Sequence, residues 1–113
     1  MAKSNKPIFW SLFAAGGTLA AFLAPVLVLL FLLAALGHAP AILGYAQLHA
    51  FAAHALGKVA LLGCVALFLW HAAHRLRVTL HDFGLRQDTI VAWAVYLVAA
   101  IGTILTAVFL LRV

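Results

Sequence analysis

From Ile8 to Leu36 the chain carries no charged side chain, and the same is true from Ile90 to Leu111. Crossing a bilayer takes about 20 consecutive apolar residues, so each stretch predicts a transmembrane helix. Between them, Leu48 to Leu80 is also apolar, but Lys58 stands near one end and Arg75 near the other. At roughly 1.5 Å per helical residue the two cations lie about 26 Å apart. A hydrocarbon core is about 30 Å thick, so they bracket a third span. The pattern predicts an all-α membrane protein with a single domain over residues 1–113 and helices over about 8–36, 49–80 and 89–112.

Composition agrees with the pattern. The 113 residues are 68% hydrophobic and 8% charged, with a mean hydropathy of +1.21. A water-soluble domain carries about 25% charged residues. Lys3 and Lys6 resemble the basic start of a signal peptide. The apolar run that follows is far longer than the roughly 7–15 residues of such a signal, so it is expected to remain as a helix. Lys3, Lys6, Arg75, Arg77 and Arg86 fall on one side of the predicted membrane, whereas Lys58 and Arg112 fall on the other. Cationic loops stay in the cytoplasm. The N-terminus is therefore expected there and the C-terminus in the periplasm. The net charge of +5 reads as membrane topology and affinity for lipid, with no nucleic-acid partner.

Little chain remains outside the bilayer, and nothing in it reads as a phosphate loop, a cysteine framework or a catalytic domain. Cys64 is the only cysteine and reads as a packing residue. Ala14, Ala15, Gly16, Gly17, Ala20 and Ala21 give the first helix a smooth surface for close approach by another backbone. Ala99, Gly102, Thr103, Thr106 and Ala107 do the same on the last. Pro25 removes a donor from the first helix and is expected to kink or loosen it.

The chemistry concentrates in LWHAAHRLRVTLHDFGLR, Leu69 to Arg86. At about 100° per residue, His71, His74, Arg75, Val78, His81 and Asp82 share roughly one third of the helix surface, and Arg77 is expected to point elsewhere. Ionisable groups at membrane depth usually face a protein interior and often mark function. A metal held by His71 and His74 lacks a carboxylate or cysteine ligand at that depth, and no metal site is expected. Haem b needs histidines on opposite faces, and neither other helix offers one nearby. A quinone site needs only hydrogen-bond donors, an aromatic wall and a route for protons to water, which His, Arg and Trp can supply. Trp10, near the start of the first helix, lies level with His74 and Arg75.

KPIFWSLFAAGG (Lys6 to Gly17), FAAHALGKV (Phe51 to Val59) and LWHAAHRLRVTLHDF (Leu69 to Phe83) together resemble the D-type hydrophobic membrane anchor of bacterial quinol–fumarate reductase. The likeness runs over nearly the whole chain. It implies a non-catalytic subunit of a four-subunit complex in the inner membrane. A flavoprotein subunit and an iron–sulfur subunit would hold the flavin and the clusters, and a second hydrophobic anchor would pair with this one. It also implies a menaquinol or menaquinone site near the cytoplasmic face that uses Trp10, His74 and Arg75, completed by partner subunits and without haem. Protons would leave at the rim near His81 and Asp82. The sequence departs from the family pattern at His71 and His54. Two other readings stay open on the residues: a haem b-binding anchor of succinate dehydrogenase type, and a small structural membrane protein without redox partners.

Overall fold

The computed structural model describes residues 6–113; the expectations placed on Lys3 lie outside the described residues. Among the described residues four α-helices follow in order, α1 Lys6–Ala35, α2 Tyr45–Ala53, α3 Ala55–Asp82 and α4 Asp88–Arg112, with one 3₁₀ turn at Ala41–Leu43. α1, α3 and α4 are each long and apolar enough to cross a membrane. The chain is thus all-α with three candidate spans. Pro25 sits inside α1 without ending it.

One difference from the sequence pattern is a break in the middle segment. The predicted helix over 49–80 is divided at His54, whose backbone turns to φ −73° and ψ 140°. Its Nδ1 accepts a hydrogen bond from the backbone N–H of Leu56 at 3.2 Å, satisfying one of the donors that a helix start leaves unpaired. Gly57 is buried directly against the Phe51 carbonyl, where a Cβ would collide with the backbone of α2. A side-chain cap and a glycine contact therefore fold α2 back on the start of α3. His54→Ala is expected to cost about 1 kcal/mol through the lost cap. A thermal melt in mild detergent checks it, and an unchanged melting temperature would refute the capping role.

The ends of α1 and α3 close in the same way. Gly37 (φ +79°) and Gly84 (φ +92°) adopt the left-handed conformation that glycine reaches without steric cost. His38 N–H then donates to Leu33 O and Leu85 N–H to Leu80 O, the wrapped-back bonds that satisfy the last carbonyls of a helix.

α3 is central, with α1 and α4 packed against it. Both pairs run antiparallel, as their contacts show. Phe13 of α1 meets His74 of α3, whereas Gly16, further along α1, meets Leu67, earlier in α3. Gly102 meets Leu69, and Lys58 at the start of α3 donates from Nζ to the carbonyl of Leu110 at the end of α4. A cation there both fills an unpaired carbonyl and suits the negative end of the helix dipole. The tight points are small residues: Gly16, Gly57, Ala73 and Ala99 are the buried positions of the helices. No large side chain is fully buried among the described residues, and Phe22, Phe31, Trp93, Ile104 and many others face outward. In lipid, helices associate through close packing and hydrogen bonds, because hydrocarbon solvates apolar side chains as well as a core does. Thr103 and Thr106 return their hydroxyls to the carbonyls of Ala99 and Gly102 in their own helix.

Candidate functional site

At the end where α1 begins, α3 ends and α4 begins, the three helices line an open-sided cavity of about 540 Å³. It is lined by Lys6, Phe9, Trp10, Phe13, Trp70, His74, Arg77 and Tyr96. The aromatic lining comes from all three helices. On α1, Trp10 stacks on Phe13 at 5.2 Å between ring centroids. On α3, Trp70 lies between Phe9 at 6.1 Å and Tyr96 of α4 at 5.0 Å, near-parallel to both. Offset-stacked aromatic pairs at 4.5–7 Å contribute beyond their buried area, so the wall itself ties the helices together.

His74 is half-buried and shares a 2.9 Å hydrogen bond with the Tyr96 hydroxyl through Nδ1. Its ring also meets Phe13, tilted at 60°. With Nδ1 engaged, Nε2 is the nitrogen left for a further partner. Trp10 is 62% exposed and forms the outer lip of the cavity. The structure thus brings Trp10 and His74 to one cavity, in agreement with their matched depth in the sequence.

Arg75 is placed differently. It is exposed and is not among the residues lining the cavity. Arg77, expected to point elsewhere, lines the cavity instead. Its guanidinium forms a two-pronged pair with Asp88: Nε donates to Oδ1 at 2.8 Å, and Nη2 donates to Oδ2 in a short ion pair. The Arg77 Cζ also lies 5.9 Å from the centre of the Tyr96 ring, within the range of a cation–π contact. A second crevice of about 320 Å³ runs on from His74 and Arg77 to Val78, His81 and Asp88. Asp88 lines that crevice, whereas Asp82 does not.

His71 has a structural role. Its Nδ1 must be protonated, since it donates to the carbonyl of Phe13 at 3.0 Å. Its ring stacks on Phe13 at 4.5 Å with 13° between planes. Gly17 makes room for it: a Cβ there would stand 2.7 Å from His71 Cε1. His71 therefore pins α1 to α3 just beneath the cavity, and holds the Phe13 ring that also touches His74.

Phe13, Trp70, Tyr96, Arg77 and Asp88 were not singled out by sequence reasoning. Some signal existed. Trp70 precedes His74 by four residues, one turn away on the same helix face. His74 and Tyr96 stand eight residues from Asp82 and Asp88, the facing ends of α3 and α4, and so lie at one depth.

The family model for the fumarate reductase D subunit matches residues 1–111. The chain is 38% identical over 112 residues to the fumarate reductase D subunit of Shewanella sp. (strain W3-18-1), covering 97% of this chain and 93% of that protein. It is 34% identical to the Aliivibrio fischeri (strain MJ11) protein of the same name, over 98% of this chain and 94% of the relative. To the Vibrio cholerae serotype O1 (strain M66-2) protein it is 36% identical, over 98% and 87%. Matched over nearly its whole length by the family model and by these relatives, the chain belongs to the family of fumarate reductase D subunits.

Proposed function

We propose that this chain is a membrane anchor of a quinol–fumarate reductase in the bacterial inner membrane. Its partners are a second hydrophobic anchor, an iron–sulfur subunit and a flavoprotein subunit that reduces fumarate. The anchor itself performs no catalysis. The Lys6–Asp88 end faces the cytoplasm, where its cations favour the positive-inside orientation. In this reading the chain contributes one side of a menaquinol site during anaerobic respiration.

The observation that carries the reading is the aromatic cavity at the cationic end, with a hydrogen-bonded histidine in its wall. Its size falls within the roughly 300–1,000 Å³ of small-molecule sites, which are mostly apolar with a few placed polar groups. A quinol head is a flat aromatic ring with two oxygens, and it supplies two electrons and two protons when oxidised. Trp10 offers a ring face at the lip. His74, oriented by Tyr96, offers Nε2. Arg75 stands exposed one residue along, outside the cavity lining, and in this reading it meets the quinol where partner subunits complete the site. Protons leave by the crevice toward His81 and Asp88.

The site is read without haem. His71, on which haem ligation within this chain would rest, has one nitrogen bound to the Phe13 carbonyl and its ring packed against Phe13 and Gly17. Metal-ligating histidines also make such a carbonyl bond, so the packing role rests on the ring itself, stacked on Phe13 of α1 and fitted against Gly17.

Trp10→Ala and Arg75→Gln are each expected to lower menaquinol-linked fumarate reduction by about tenfold, the effect of roughly 1.4 kcal/mol of lost interaction. The assembled complex is the enzyme to assay. Fumarate reduction driven by a soluble artificial donor is expected to persist in both variants, because that route bypasses the quinol. Unchanged quinol-linked rates in both would overturn the site.

A further inference from the structure

We propose that Arg77 and Asp88 form a positioning pair for the quinol site, acting through Tyr96 on the His74 imidazole. This rests on the proposed quinol site and assigns to it three residues that the sequence did not single out.

The geometry is a continuous series. Asp88, at the first turn of α4, receives both prongs of the Arg77 guanidinium from the last turns of α3. A fork-to-fork pair fixes the plane of the guanidinium as well as its place. That guanidinium lies near the face of the Tyr96 ring, 5.9 Å from its centre. Trp70 stacks on the same ring at 5.0 Å, so the phenol is held by both neighbours. Its hydroxyl meets His74 Nδ1 at 2.9 Å. Phe13 bears on the imidazole from α1 at 4.6 Å. The result is one rotamer for His74, with Nδ1 turned to Tyr96 and Nε2 left for the ligand.

The alternative role for the Arg77–Asp88 pair is a staple across the 83–87 turn that joins α3 to α4. Half-exposed ion pairs of that kind contribute little to stability, whereas the guanidinium here also lines the cavity wall. The two roles predict different behaviour. A staple acts on assembly and melting temperature alone. A positioning series acts on the affinity for quinol, and it transmits through Tyr96.

The test uses the assembled complex with a menaquinol analogue as donor, comparing Arg77→Gln, Arg77→Lys, Asp88→Asn, Tyr96→Phe and the double variant Arg77→Gln/Tyr96→Phe. Yield of the complex is measured beside KM and kcat. Each single variant is expected to raise the KM for quinol roughly three- to tenfold, the scale of one oriented hydrogen bond. Tyr96→Phe keeps the ring stack and the ion pair, so its effect isolates the hydroxyl on His74. Arg77→Lys is expected to behave like Arg77→Gln, because an ammonium cannot reproduce the planar fork. The double variant is expected to be no worse than the poorer single, as befits members of one series. Arg86→Gln, in the exposed turn, is expected to leave KM unchanged.

Unchanged KM in Tyr96→Phe, or additive effects in the double variant, overturns the proposal. So does a fall in yield or melting temperature for Arg77→Gln and Asp88→Asn with KM unmoved, the signature of a staple. His74→Ala and Trp10→Ala are run alongside. If they weaken quinol turnover while Tyr96→Phe does not, the positioning series alone fails. If they too have no effect, the quinol site itself is wrong.

Discussion

Replacing Gly16 with leucine is expected to detach α1 from α3 and to abolish recovery of an assembled complex. Gly16 is buried, and even a Cβ at this position would run into the Leu67 carbonyl and stand 2.9 Å from the Cβ of His71. Neither neighbour is the loose end of a flexible chain, so the helices themselves must separate. In lipid that separation is not offset by a gain in apolar burial, since close packing and hydrogen bonds are what hold helices together. Overpacking a filled site costs about 1–3 kcal/mol, and a leucine adds three carbons beyond the clash already caused by Cβ. The consequence for the site is direct, because α1 carries Phe9, Trp10 and Phe13. Gly16→Ala is expected to fall between the two states, with reduced yield and weakened quinol turnover. Purification in mild detergent with a count of the co-purifying subunits measures both. Wild-type yield and quinol turnover for Gly16→Leu would refute the packing.

The second large effect is expected at His71. Truncation to alanine removes the bond to the Phe13 carbonyl, worth about 0.6–1.7 kcal/mol between helices in a membrane. It also removes the stack on Phe13, worth about 0.5–1.5 kcal/mol. Together these put the loss at about 1–3 kcal/mol. His71→Phe keeps a ring against Phe13 and is expected to recover part of the melting temperature, though Gly17 was shaped around the smaller imidazole. Phe13 touches both His71 and His74, so the alanine variant is also expected to weaken quinol turnover. A visible spectrum of the purified complex is the complementary measurement. A b-type absorbance that disappears in His71→Ala would assign this residue to haem ligation and overturn its packing role.

Four of the six histidines mark the limit of sequence reasoning. His74 was legible because its depth matches Trp10 and because a polar group there needs a partner. His54 stood out only as a departure from the family pattern, and His71 both as such a departure and as a member of the polar face it shares with His74. His54 proves to cap a helix and His71 to bridge two, and neither role leaves a mark in the sequence. The cap is visible only once the chain bends at ψ 140°. The bridge requires the Phe13 carbonyl, 58 residues away, to arrive at 3.0 Å. His81 was placed at the rim, and the crevice it lines includes Asp88, not Asp82.

By itself the sequence determined three apolar spans and their cationic end. Hydrocarbon thickness sets the length of a span, and the cost of burying charge sets where it stops; both operate residue by residue. The same rules could not show that the middle segment is two helices, because the Ala-rich stretch around His54 is as apolar as a continuous helix. On the same rules Arg75 was chosen over Arg77, whereas it is Arg77 that lines the cavity. A helical wheel gives the angles between side chains, but it has no origin until neighbouring helices lie against it. In the tertiary structure α1 and α4 settle on the side of α3 that bears Trp70, His74 and Arg77, leaving Arg75 exposed. That side is decided by where Gly16, Gly17, Ala73, Ala99 and Gly102 allow backbones to approach closely. Contact of this kind depends on the shapes of two surfaces together, which no single stretch of sequence contains.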